Sequence, residues 1–184
     1  LLIYSIISYR LYLIFMNIII NFKKQVSSES NANLILFADE KFNITGLKKH
    51  IPHSEYSYIS DLLNKKDSKK KIITFDISSK KKIILISFKK NLTNSDIENL
   101  GAKCYEILNE LKETKYLVNS DTIPNRFKNG IGYFLHGVKL KSYKFEKYKT
   151  KKDELNISIN VIGKNIPNYK DQLKFNAIEE GTFF

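Results

Sequence analysis

The sequence predicts an α/β domain in which a mixed sheet is flanked by helices. Three observations lead there. Short β-branched runs such as Asn17–Phe22 and Ile83–Phe88 recur along the chain at strand length. Two longer stretches, starting at Asp96 and Asn125, place apolar residues at every third or fourth position, the period of an amphipathic helix. Strands interleaved with helices over 184 residues suit one domain, large enough to bury a core.

The elements follow in order. Asn17–Phe22 is closed by Lys23-Lys24 and reads as a strand; Ser27 to Asn33 is polar and reads as a loop. Asn33 to Ala38 is a continuous apolar run, which suits a strand covered on both faces. Leu47 to Leu63 reads as a helix interrupted near Pro52, with Ser54 capping the new turn and Ile59, Leu62 and Leu63 facing inward. After a charged turn, Lys65 to Lys71, come two strands, Ile72–Ile77 and Ile83–Phe88, joined as a hairpin by Ser78 to Lys82.

The strongest helix runs from Asp96 to about Lys112. Ser95 and Glu98 form an S-x-x-E capping box, in which the serine accepts from a free backbone N–H and the glutamate reaches back. Ile97, Leu100, Cys104, Ile107, Leu108 and Leu111 make its apolar stripe. Tyr116–Val118 is a short strand. Asn125 to about Tyr143 is the second long helix and carries Gly130, Gly132 and Gly137. Glycine costs a helix about 1 kcal/mol relative to alanine, so these positions are expected to allow close packing against the sheet. Leu155–Ile162 alternates as a half-exposed strand does, and a last helix starts at Tyr169. No internal repeat is present.

Composition narrows the function classes. One cysteine excludes an intramolecular disulfide framework and fits a reducing compartment. Cys104 falls on the apolar stripe of its helix and reads as a small core residue rather than a nucleophile. The net charge of +12 suggests a polyanion partner. The bases are lysines, however, apart from Arg10 and Arg126, and sites that read phosphate or guanine prefer the arginine fork. With Ile and Asn also abundant, the charge reads as a solvated surface from an AT-rich coding sequence.

Leu1 to Phe15 is apolar and, continued to Phe22, approaches the length of a membrane span. Arg10 lies mid-run, and the tyrosines are spread along it rather than gathered at its ends. A signal peptide's charged start and small-residue cleavage site are missing. Met16 is therefore read as the natural start, with residues 1–15 as an upstream extension; a membrane anchor is the other reading.

Few residues offer chemistry. His50 and His53 are three apart around Pro52, yet no Cys, third His or carboxylate pair completes a metal set beside them. His136, next to Gly137, reads as a packed or capping group. Asp39-Glu40 and Glu179-Glu180 are neighbours along the chain, so their side chains diverge and neither makes an acid/base pair. Gly163-Lys164 lacks the G-x-x-x-x-G-K-[ST] frame of a phosphate loop. No catalytic, cofactor-binding or metal-binding residue is assigned.

The segment Leu135–Lys152 passes from helical period into alternating aromatic and basic residues: Tyr143, Lys144, Phe145, Lys147, Tyr148 and Lys149. Physically it suits a nucleic-acid arm or a helix exit whose aromatics pack while its lysines stay wet. Its wording, K-S-Y-K-F-E-K-Y-K-T-K-K, resembles the helix exit in the N-terminal domain of the leucyl (cytosol) aminopeptidase family, where S-Y-x-F-x-x-Y-K-T recurs. Three other segments resemble that family in the same order. Tyr58-Ile59-Ser60-Asp61-Leu62-Leu63 is similar to a helix end, and Lys82–Ser87 followed by Leu92–Asp96 to its second sheet segment. Ala177–Phe184 is similar to the start of its linker helix. One departure is Ser87-Phe88-Lys89-Lys90, where the family has a glycine-rich turn.

The resemblance covers roughly Met16 to Phe184 and implies a macro-domain-like fold over residues 16–168, with 169–184 as the start of a linker helix to a catalytic domain. It implies a non-catalytic part of a metalloexopeptidase that releases amino-terminal residues from peptides. Catalysis in the family uses two divalent metal ions, manganese or zinc, held by one lysine and several carboxylates. The motifs that carry them, including an N-T-D-A-E-G-R-type run, do not occur in this sequence. Expected partners are the catalytic domain of the same protein, further copies in a hexamer, and a peptide substrate, in the cytoplasm with no membrane. The alternative is a stand-alone basic module holding nucleic acid or a phosphorylated ligand through Lys139 to Lys152.

Overall fold

A computed structural model describes residues 18–23, 32–65, 70–127, 129–143 and 156–183. Its strands are β1 (Ile18–Phe22), β2 (Asn33–Asp39), β3 (Ile72–Ser78), β4 (Lys81–Phe88), β5 (Lys115–Asn119) and β6 (Ile157–Ile162). The α-helices are α1 (His53–Lys65), α2 (Asn94–Leu111), α3 (Gly130–Ser142) and α4 (Tyr169–Phe183). The six strands form one sheet in the order β1-β6-β5-β2-β4-β3. Every neighbouring pair is parallel except β3 with β4. The expected mixed sheet flanked by helices is the one observed.

Alternation along the two central strands explains the layers. Successive side chains of a strand point to opposite faces. Ile35 and Phe37 of β2, with Ile84, Ile86 and Phe88 of β4, enter a core with α2 and α3. Leu36, Ala38, Ile83 and Leu85 enter a second core with α1 and the 3-10 turn Thr45–Lys49. Both faces are covered, which is why these strands read as unbroken apolar runs. Edge-to-face rings join the first core: Phe37 lies 5.3 Å from Phe88 and 5.2 Å from Phe134. Ile59 is fully buried, and Leu62 and Leu63 pack against the second core as expected. β6 alternates buried and half-buried positions, again as expected.

Several local expectations are corrected. The capping box of α2 is Thr93 with Asp96, not Ser95 with Glu98. The Asp96 N–H donates to Thr93 Oγ1 at 3.2 Å, and the Thr93 N–H donates to Asp96 Oδ2 at 2.9 Å. The helix starts two residues early because T-x-x-D overlaps S-x-x-E and closes first, leaving Glu98 free for another partner. Ser54 lies inside the first turn of α1, and the Pro52 carbonyl accepts the Tyr56 N–H at 3.0 Å. The second long helix is divided into a short 3-10 turn, Asn125–Phe127, and α3.

Of the glycines of α3, Gly130 lies near Phe88 of the sheet, whereas Gly132 and Gly137 serve packing on other elements. A Cβ on Gly137 would overlap the Glu98 carbonyl oxygen, and one on Gly101 of α2 the Phe134 carbonyl oxygen. The two helices meet backbone to backbone, which only glycine permits. Gly132 makes room for Phe175 of α4 and for Pro167; a Cβ there would stand 2.8 Å from the Phe175 ring. Tyr143 ends α3 in an extended conformation, while Lys144 to Lys152, Leu1 to Phe15 and most of the loops expected at 27–33 and 65–71 fall outside the described residues.

Candidate functional site

Strand order places the candidate site. From β2 the chain passes through α1 to β3 and β4 on one side of the sheet, while from β5 it passes through α3 to β6 on the other. The connections diverge where β2 and β5 lie side by side, and open α/β sheets bind ligands outside the carboxyl ends of such a pair. A crevice of about 300 Å³ opens there, lined by Asp39 at the end of β2, Asp121 just beyond β5, and Asn43, Lys49 and His50 from the intervening turns.

Its polar groups are held by a connected network. The Asn119 amide oxygen accepts the Asp121 N–H at 3.1 Å, which turns the amide nitrogen toward His50 Nδ1, 3.0 Å away. Nδ1 is therefore an acceptor, and the imidazole proton sits on Nε2. Burial, then Lys49, holds the His50 pKa below its ordinary value, with Asp121 opposing. Nε2 is buried and has no hydrogen-bond partner. Thr122 ties the floor by accepting the Phe37 N–H at 3.0 Å and donating to the Asn119 carbonyl at 2.7 Å.

The backbone donors around the crevice already have acceptors. Asp39 Oδ1 takes the N–H groups of Lys41 at 3.0 Å and Asn43 at 2.9 Å. Asp121 Oδ1 takes the Lys164 N–H at 2.7 Å. The preceding Gly163 has φ +108°, a conformation side chains disfavour, and lies against Ser120 and Asp121. Converging N–H groups ordinarily make an anion site. Here the chain's own carboxylates fill it, and two negative charges repel a phosphate.

The residues singled out in the sequence do not converge. His53 is exposed at the start of α1 while His50 turns to Asn119. His136 is packed: its Nδ1 lies 2.8 Å from Glu98 Oε1, and its ring stacks on Phe175 at 4.6 Å. Cys104 is fully buried, and burial pushes its thiol up to about 12. Asp39 turns to its own loop while Glu40 accepts the Lys90 N–H. Glu179 is buried against Lys139 at 2.9 Å, and Glu180 is exposed. Among the described residues no three His, Cys, Asp or Glu side chains gather as a metal site, and no helix is long and apolar enough to cross a membrane.

Sequence reasoning missed Asn119, Asp121 and the Lys139–Glu179 pair. Asn119-Ser120-Asp121, polar directly after the apolar strand Tyr116–Val118, was the available signal for the first two. Nothing local announces the pair, whose members are 40 residues apart.

No family model matches the chain. A probable cytosol aminopeptidase of Clostridium perfringens is 27% identical over 169 residues, covering 86% of this chain and 33% of that protein. A point mutant of tomato leucine aminopeptidase superposes with a TM-score of 0.64 at 16% identity, over 90% of this chain and 36% of that one. The chain resembles the N-terminal domain of leucyl aminopeptidases. It spans about a third of the length of these relatives. The fold is shared with the tomato leucine aminopeptidase. The macrodomain of Thermus aquaticus DarG overlaps less closely, with a TM-score of 0.47 at 10% identity over 80% of this chain and 99% of its own.

Proposed function

We propose that this chain is the non-catalytic N-terminal domain of a leucyl aminopeptidase-like metalloexopeptidase. The observation that carries the proposal is the match to a cytosol aminopeptidase along 86% of this chain but only 33% of the relative. In this reading the peptide bond is hydrolysed elsewhere in the protein, by a catalytic domain holding two divalent ions, manganese or zinc. The whole protein frees amino-terminal residues from peptides, assembles as a hexamer and works in the cytoplasm.

α4 supplies the attachment. Its inner face is committed to α3, but Tyr169 is 75% exposed and Leu173 50% exposed on the other side. Ile166 just before it and Ile178 within it are exposed as well. Exposed apolar side chains on and beside α4 are available for cover by other protein. The alternative, a basic module using Lys139 to Lys152, falls mostly on residues outside those described. Reading the gene past the Phe184 codon tests the proposal. An open frame carrying a lysine and several carboxylates in metal-site motifs is expected; an immediate stop overturns it.

A further inference from the structure

We draw no further inference here: the strongest candidate, the cleft of about 110 Å³ between the edge strand β1 and α4, lined by Ile20, Phe22, Leu135 and Phe175, carries nothing, because nothing in the structure shows what covers it.

Discussion

α3 is packed on both sides, and its two contacts are built differently. Toward α2 it has no room for side chains at Gly101 and Gly137, and the seam is continuous with the first core through Phe134, Val138 and Leu108. Toward α4 it offers a stripe one turn apart: Gly132, His136 and Lys139. These receive Phe175 and Glu179, with a small cavity of about 110 Å³ left between α4 and β1. The first contact completes a core. The second holds a helix by one aromatic and one buried ion pair and leaves Tyr169 and Leu173 to solvent. The difference separates what the domain needs to fold from what it presents to other protein.

The largest expected effect breaks the first contact. Gly137→Val puts two methyl groups where the Glu98 backbone passes, and is expected to cost about 3 kcal/mol or more in urea denaturation, because the backbones must part. Lys139→Met comes next. It strands the Glu179 carboxylate, whose side chain is 2% exposed, and is expected to cost about 3 kcal/mol. That loss falls on α4 alone: hydrogen exchange is expected to quicken at 169–183 while the α2–α3 seam keeps its protection. Equal loss at both places would erase the contrast.

A smaller effect follows pH. The folded pKa of His50 lies below its unfolded value, so the folded state prefers the neutral ring. The associated stability is present above the unfolded value of about 6.5 and is lost as pH falls from there through the folded pKa. Replacing His50 with glutamine is expected to flatten denaturation midpoints across that window. The smallest effect belongs to the outer face of α4. Leu173→Asp is expected to leave stability within about 0.5 kcal/mol, since the side chain it replaces already meets water.

The central strands and the α2 stripe were legible because both are local: a period, a length and a β-branched run suffice. The apolar faces of β2, β4, α2 and α3 are buried, whereas Phe22 of β1 and Tyr169 and Leu173 of α4 remain exposed. The capping box was misread by two residues because two overlapping frames compete within Thr93 to Glu98, and the real partner of Glu98, His136, is 38 residues away. The crevice was invisible for a like reason. It exists only because β5 inserts beside β2 rather than after β4, a choice made by the whole sheet. Cys104 was placed correctly in the core because its position on the apolar stripe of α2 decides its burial.

The central claim is that this chain is a folded, non-catalytic part of an aminopeptidase-like protein. Its most direct test adds manganese or zinc to the purified 184-residue chain, shown folded by its cooperative unfolding, and follows release of leucine from a leucyl peptide. The account predicts no release above the metal-only blank. Metal-dependent release by this chain alone would contradict it.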